Sequence, residues 1–191
     1  MKTNIEKEVK FEVLDINSTI EKILKVAKHS DTRYIRDIIY GAIDHKSKVR
    51  IRIENNFKKV SVEAIFKYKA KCEDDDCLKI EVEEEIYHGD SLKDALIEIK
   101  KHGKFKEENS YEKTRIIYVT KKAEITLDIY PYGVWIEIEA EPKEIWELAR
   151  KLGFSKKQAI SKNADELYLD WNKKVGLKEM WDVRFGLKGK K

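Results

Sequence analysis

The chain has 191 residues and a formal net charge of +4, from 40 lysines and arginines against 36 acids. This length fits a single domain, because domains usually hold about 100–200 residues. Charged residues make up 40% of the chain, and no apolar run approaches the roughly 20 residues of a membrane-spanning helix, which excludes a helical membrane protein. The first residues alternate charged and apolar side chains, unlike a secretory signal, so we expect a cytoplasmic protein.

Period-two alternation of apolar and polar residues recurs along the chain and predicts antiparallel β-strands. In the first strand Ile5, Val9 and Phe11 lie on one side, while Glu6 and Glu8 lie on the other. The strand around 33–41 is the least regular. The predicted strands cover 5–11, 33–41, 48–54, 60–71, 78–86, 111–119, 123–129 and 134–141.

Helical spacing of apolar residues in the remaining segments predicts four helices. They cover about 18–27, 91–99, 142–152 and 155–175. Ser18 and Glu21 have the spacing of a capping box, which predicts that the first helix begins at Ser18. Gly153 ends the third helix, and the fourth has a break near Asn163. We expect one domain over 1–175, followed by a basic tail over 176–191.

Two sequence features limit the kinds of binding site that the chain can form. The chain has eight glycines and neither GxxxxGK nor GxGxxG, so phosphate binding must use side chains rather than a glycine-rich loop. Cys72 and Cys77 flank an acidic stretch and lack the paired spacing of a zinc site. We interpret them as free thiols in a charged hairpin loop, although a metal-binding loop is the alternative.

The polar faces of the strands carry charges of both signs and few neutral polar residues. Four helices with apolar stripes need an apolar surface to cover, and the apolar face of the sheet is the available one. An eight-stranded antiparallel sheet can close on itself, which also removes its exposed edges. We therefore predict an α+β fold, with a closed eight-stranded antiparallel barrel, helices on its outside and a hydrated, charged tunnel inside.

Charges of both signs crowded inside a tunnel predict that it binds ions, namely a divalent cation and a phosphate-containing anion. Two carboxylates ~6 Å apart repel by on the order of 3 kcal/mol at an effective dielectric of about 20, and a divalent cation relieves that repulsion. Mg²⁺ and Mn²⁺ prefer carboxylate oxygens and share their coordination sphere with phosphates. Arginine forks and lysine charges bind phosphate oxygens, and several of them in one tunnel fit a triphosphate better than a monophosphate.

The charged motifs also resemble a known family. Glu6-Lys7-Glu8-Val9-Lys10 resembles the ExExK motif of the CYTH superfamily, the triphosphate tunnel metalloenzymes. That superfamily includes class IV adenylyl cyclases, thiamine triphosphatases and inorganic triphosphatases. Six further motifs follow in the family's order, and the resemblance covers about residues 4–170. They are Arg50 and Arg52 (RxR), Lys69, Glu81 and Glu83 (ExE), Lys113 and Arg115 (KxR), Asp128 with Gly133, and Trp135 to Glu139 (F-x-E-x-E).

The resemblance implies roles for these positions. Glu6, Glu8, Glu137 and Glu139 would form the catalytic set and hold Mg²⁺ or Mn²⁺. Further acidic metal contributors would be Glu81, Glu83 and Asp128. The triphosphate would be held by Lys10, Arg50, Arg52, Lys69, Lys113 and Arg115, with Lys79 as a secondary contact. Family members often carry a Ser-Tyr pair in a late helix that plugs the tunnel, whereas this chain has Ile160-Ser161-Lys162-Asn163-Ala164.

Three functions remain open at the level of sequence. Metal-dependent hydrolysis of inorganic triphosphate, a nucleoside triphosphate or thiamine triphosphate is favoured, because no feature marks a base pocket. A cyclase that makes cyclic AMP and pyrophosphate from ATP would use the same ions. A non-catalytic binder of polyphosphate or single-stranded nucleic acid would need Phe66 and Tyr68 beside Lys67 on one surface, but alternation puts them on opposite faces. We expect no membrane partner, and monomer and homodimer both stay open.

Overall fold

The computed structural model describes residues 3–43, 48–70, 78–176 and 181–186. Cys72 and Cys77 lie outside the described residues, and so does the side chain of Lys69. The strands are β1 (Thr3–Glu12), β2 (Lys28–Ala42), β3 (Lys48–Asn55), β4 (Val60–Ala70), β5 (Lys79–Gly89), β6 (Phe105–Val119), β7 (Glu124–Tyr130), β8 (Gly133–Glu139) and β9 (Asp182–Val183). The helices are α1 (Ile16–Leu24), α2 (Leu92–Lys101), α3 (Pro142–Leu152) and α4 (Ala164–Val175).

Strands β1 to β8 form a closed antiparallel barrel. Around the barrel the order is β1, β5, β4, β3, β2, β6, β7 and β8, and β8 pairs with β1 again. The ring closes along β2 and β6, the two longest strands, which pair from Lys28 with Val119 to Ala42 with Phe105. The predicted fold, an α+β protein built on a closed eight-stranded antiparallel barrel, is confirmed.

One strand was not predicted. β9 pairs in parallel with β6 at Ser110 and Tyr111. The Ser110 hydroxyl lies 2.6 Å from a carboxylate oxygen of Asp182, and Val183 is buried. A two-residue strand has no measurable alternation, so the sequence of this basic segment gives no pattern to detect it.

The helices cover the apolar outer face of the barrel, as the alternation predicted. α1 and α3 pack on β1, β7 and β8 around Phe11, which is fully buried. α2 packs on β3, β4 and β5, with Ala95 and Ile99 against Ile51. α4 covers one end of the barrel, where Tyr168 joins an aromatic cluster with residues of β7 and β8. None of the helices that the structure describes has the length and apolar character needed to cross a membrane.

Most helix boundaries follow the predicted signals. Ser91 caps α2 by accepting the N–H of Asp94, and Gly153 ends α3 with a φ of 92°, where a glycine is favoured. The break at Asn163 is the N-cap of α4, preceded by a short 3-10 turn over Lys156–Gln158.

The predicted start of α1 is wrong. The N-cap is Asp15, whose carboxylate accepts the N–H of Ser18 at 3.1 Å, so Ser18 lies within the first turn. The Ser18–Glu21 spacing resembles a capping box, but the aspartate one turn earlier already occupies the capping position.

We expect Asp15→Ala to lower the free energy of unfolding by about 1 kcal/mol, because α1 loses its side-chain cap. Ser18→Ala is the matched control, and its effect should stay within about 0.5 kcal/mol. Urea unfolding of both variants measures the difference. A larger loss in the Ser18 variant would contradict the assignment of the cap.

Candidate active site in the tunnel

The barrel encloses a cavity of about 790 Å³ that is lined from all eight strands and from the start of α4. The described lysines and arginines that line it are Lys10, Arg33, Lys48, Arg50, Arg52, Lys67, Lys79, Lys113 and Arg115. The described acids that line it are Glu6, Glu8, Asp37, Glu54, Glu63, Glu81, Glu83, Glu124, Glu137, Glu139 and Asp165. Charges of both signs thus share one interior, as the alternation of the strands predicted.

The segment before α4 lies at one end of the cavity. The N–H of Ile160 donates to the Lys10 carbonyl at 2.9 Å, and Lys10 Nζ donates to the carbonyl of Lys162 at 3.4 Å. The Tyr132 hydroxyl donates to the carbonyl of Ala164 at 3.1 Å, which fixes the first turn of the helix. Although the Ser-Tyr pair of the family is missing, this stretch contributes Asn163, Ala164 and Asp165 to the cavity lining.

Three carboxylates converge on the wall formed by β1 and β5. Glu6, Glu81 and Glu83, here called the acidic trio, each offer an oxygen within 4.8 Å of the others. Burial, followed by the charge of Glu83, raises the pKa of Glu6. Negative charge is therefore concentrated here, and three carboxylates at this spacing fit a hard divalent cation.

Glu139 extends this acidic region along β1 and β8. It is the register partner of Glu8. Burial, followed by the charges of Glu6, Glu124 and Glu8, raises the pKa of Glu139 to about 7. A carboxylate so affected by neighbouring carboxylates gains from a bound cation.

Lysines occupy part of the acidic region. Lys67 Nζ lies 2.5 Å from Glu81 Oε2 and 3.0 Å from Glu83 Oε1. Lys79 Nζ lies 3.0 Å from Glu8 Oε1 and also contacts Glu81. Burial alone would raise the pKa of Glu81, but Lys67 and Lys79 lower it to about 2. Lys67 was not among the predicted site residues, although the alternation of β4 places it on the same face as the predicted Lys69, which was a usable signal.

Asp128 organises the cations of β6. Its Oδ1 accepts from Arg115 Nε at 2.7 Å, and its Oδ2 accepts from Lys113 Nζ at 2.7 Å and Arg115 Nη2 at 2.6 Å. Asp128 is 0% exposed. Burial alone would raise its pKa, but Arg115 and Lys113 hold the pKa below its ordinary value. Burial, followed by the charge of Arg115, lowers the pKa of Lys113 to about 8.

Glu137 links this network to β1. Arg115 Nη2 donates to Glu137 Oε2 at 2.7 Å, and Lys10 Nζ lies 3.0 Å from Glu137 Oε1. Burial alone would raise the pKa of Glu137, but Lys10 and Arg115 hold it well below its ordinary value. Glu137 is therefore a bridge between two cations of the tunnel.

Asp37 holds the arginine of the opposite wall. Arg52 Nε and Nη2 donate to its two carboxylate oxygens at 2.7 and 2.8 Å. Asp37 is buried, and burial alone would raise its pKa, but Arg52 lowers it well below the ordinary value. Sequence reasoning missed Asp37 because it lies in β2, whose alternation is irregular. The signal present was a single acid within the predicted strand over 33–41.

Thr126 was also missed. It lies between Glu124 and Asp128 on β7, is 5% exposed and lines the cavity. Its Oγ1 is buried and has no hydrogen-bond partner within the described part of the chain.

The structure brings twelve of the predicted site residues to the cavity, which are Glu6, Glu8, Lys10, Arg50, Arg52, Lys79, Glu81, Glu83, Lys113, Arg115, Glu137 and Glu139. Asp128 lies behind this surface, bound to Lys113 and Arg115. Lys69 belongs to β4, and its side chain is outside the described set.

Solved structures share this fold at low sequence identity. The Pyrococcus horikoshii OT3 protein PH1012 is 23% identical, with 85% of this chain and 98% of its own covered and a TM-score of 0.68. PH1819 from the same organism is 27% identical, with 86% and 98% covered and a TM-score of 0.64. The Hippeastrum protein HpAC1, described as having a dominant triphosphatase activity, is 16% identical, with 86% and 94% covered and a TM-score of 0.51.

No curated protein gives a significant match to the sequence. The CYTH domain family matches residues 4–167, a span that runs from the second residue of β1 through β8 to the start of α4. With the closed barrel and its charged interior, this match identifies the chain as a member of the CYTH domain family.

Proposed function

We propose that the protein hydrolyses a triphosphate-containing substrate inside the tunnel, in a reaction that depends on Mg²⁺ or Mn²⁺. The substrate classes are inorganic triphosphate, nucleoside triphosphates and thiamine triphosphate. The observation that carries the proposal is that one cavity places Arg50, Arg52, Lys113 and Arg115 beside the acidic trio. A polyanion would bind the basic residues of this cavity, and the divalent cation that accompanies it would bind the acidic trio.

The cations would bind the phosphate chain. Arginine presents a planar fork that matches phosphate oxygens, and lysine adds a point charge. Asp37 and Asp128 hold the forks of Arg52 and Arg115 before substrate arrives, which lowers the entropy cost of binding. Lys10 and Lys69 complete the proposed set, and Lys79 is a secondary phosphate contact.

Glu6, Glu8, Glu137 and Glu139, the set that the family resemblance implies, would hold the metal together with Glu81 and Glu83 of the acidic trio. A bound Mg²⁺ or Mn²⁺ supplies charge neutralisation and polarises phosphoryl oxygens. We propose that Asp128 is a positioning residue rather than a ligand, since it is fully buried behind the cavity surface and holds Lys113 and Arg115, whereas Glu137 lines the cavity.

Hydrolysis then needs little further machinery. Water attacks the terminal phosphorus, the bond to the bridging oxygen breaks, and orthophosphate and the shortened phosphate chain leave. One tunnel carboxylate accepts the proton of the attacking water. The cations stabilise negative charge on the phosphoryl oxygens as the bond breaks. The activity described for HpAC1 supports hydrolysis over cyclisation.

The acids that share the cavity argue against nucleic acid as the ligand. Phe66 packs against His102 and Phe105, away from the cavity, as the alternation predicted. The prediction for Tyr68 is wrong, because Tyr68 lines the cavity together with Arg50 and Arg52. The carboxylates of the same lining repel a phosphate backbone unless a divalent cation is bound.

Product analysis tests the reaction directly. With Mg²⁺ or Mn²⁺ we expect orthophosphate from tripolyphosphate, ATP or thiamine triphosphate, and no product after chelation with EDTA. Orthophosphate, pyrophosphate and cyclic AMP are measured in parallel. Pyrophosphate and cyclic AMP from ATP would identify a cyclase instead, and the lack of all three products would contradict catalysis.

Two variants separate phosphate binding from metal binding. Glu139→Gln should raise the metal concentration for half-maximal activity at least about tenfold. The double variant Arg52→Ala/Asp37→Ala should raise the KM for triphosphate about 10- to 100-fold. Both residues are replaced because Arg52→Ala alone would leave the Asp37 carboxylate buried without a partner. Glu141→Gln is the control for Glu139, because Glu141 pairs with Lys7 outside the cavity. Wild-type behaviour of both test variants would contradict the site.

Asp128→Asn tests the positioning role. We expect a loss of about 3–5 kcal/mol in the free energy of unfolding, because Lys113 and Arg115 stay buried without their shared partner. The KM for triphosphate should rise, while the metal concentration for half-maximal activity should stay within about twofold. A shift in metal requirement as large as that of Glu139→Gln would instead make Asp128 a metal ligand.

A further inference from the structure

We infer that Lys67 is a built-in cation of the acidic trio, which a divalent metal displaces and which then turns to the phosphate of the substrate. This inference rests on the metal site of the proposed function. It makes Lys67 a residue that couples metal binding to substrate binding.

The geometry places lysine and metal on the same oxygens. Lys67 on β4 lies directly opposite Glu83 on β5 in the register. Its Nζ is 3.0 Å from Glu83 and 2.5 Å from Glu81. These are two of the three carboxylates of the acidic trio, and the third, Glu6, lies on the neighbouring strand β1. An ion bound by all three must compete with the ammonium group.

The charges explain why the protein would keep a lysine there. Three carboxylates within 4.8 Å repel each other when no counter-charge is near. Lys67, which contacts both Glu81 and Glu83, offsets part of this repulsion, and Lys79 offsets a further part through Glu81. A divalent ion brings twice that charge and prefers carboxylate oxygen, so it is the stronger occupant of the same position.

The exposure of Lys67 suits such an exchange. Its side chain is 29% exposed and lines the cavity, whereas Lys113, bound to Asp128, is 3% exposed. Lys67 therefore has space to rotate away from β5 without disturbing a packed core. Once displaced, its Nζ lies free in the cavity proposed for the triphosphate, and a phosphate oxygen is an available partner.

Reciprocity follows from this arrangement. If metal releases Lys67 toward the phosphate, substrate stabilises the released state and must in turn strengthen metal binding by the same factor. A triphosphate analogue that resists hydrolysis should therefore tighten metal binding, and part of that tightening should depend on Lys67.

Binding of Mn²⁺ without substrate, measured by electron paramagnetic resonance, tests the displacement. Lys67→Met should bind Mn²⁺ about tenfold more tightly than the wild type, because a charge a few Å away is removed from the same oxygens. Lys67→Arg, which restores the charge, should return the affinity toward the wild type. Lys48→Met is the matched control, since Lys48 lines the same cavity but pairs with Glu108, and it should change affinity less than about twofold.

The coupling is measured by repeating the titration with imidotriphosphate. The analogue should tighten Mn²⁺ binding in the wild type, and less so in Lys67→Met. Circular dichroism confirms that each variant is folded, and Lys67→Gln replaces any methionine variant that is not. Unchanged or weaker Mn²⁺ binding in the folded variant would overturn the role of Lys67 alone. Failure of the wild type to bind Mn²⁺ would overturn both this inference and the metal dependence of the proposed function.

Discussion

The fold depends on one electrostatic constraint, which is that ions removed from water need partners of opposite charge. Closing the sheet brings the charged faces of eight strands together. Asp128 with Arg115 and Asp37 with Arg52 meet the constraint through bidentate contacts across neighbouring strands. Because each pair joins register partners, the charge pattern also fixes which strand residues face each other.

Sequence alternation predicted the barrel because it is a local signal. Ile5, Val9 and Phe11 show the apolar side of β1 without reference to any other strand, and the helices show that this side must be covered. Which strands are neighbours is not local. The adjacency of β1 to β5 and β8, and the closure of β2 on β6, appear only in three dimensions. Sequence reasoning could therefore identify the ions of the tunnel but could not pair them.

The site residues that sequence reasoning missed, Asp37 and Thr126, were missed because no local sequence pattern marks them. Asp37 lies on a strand whose pairing shifts register near its two ends, so its inward direction is not evident from neighbours in sequence. Thr126 lies on the polar face of β7 between Glu124 and Asp128, but it is neutral and belongs to none of the charged motifs. Its hydroxyl has no partner within the described residues. The cap of α1 was misjudged for a different reason, since Asp15 and Ser18 are both good caps and the choice depends on where the chain leaves β1.

The resting charge network also sets how available each cation is to a ligand. Arg115 is bound by Asp128, which is fully buried, so a phosphate can replace Asp128 only if the core rearranges. Arg50 is held far more loosely, by Glu83 at 3.5 Å and Glu63 at 3.7 Å, and its Nε has no partner within the described part of the chain. Arg115 thus contributes a fixed charge, whereas Arg50 retains unused donors. A tunnel that contains both can be ordered before substrate binds and still offer hydrogen bonds to it.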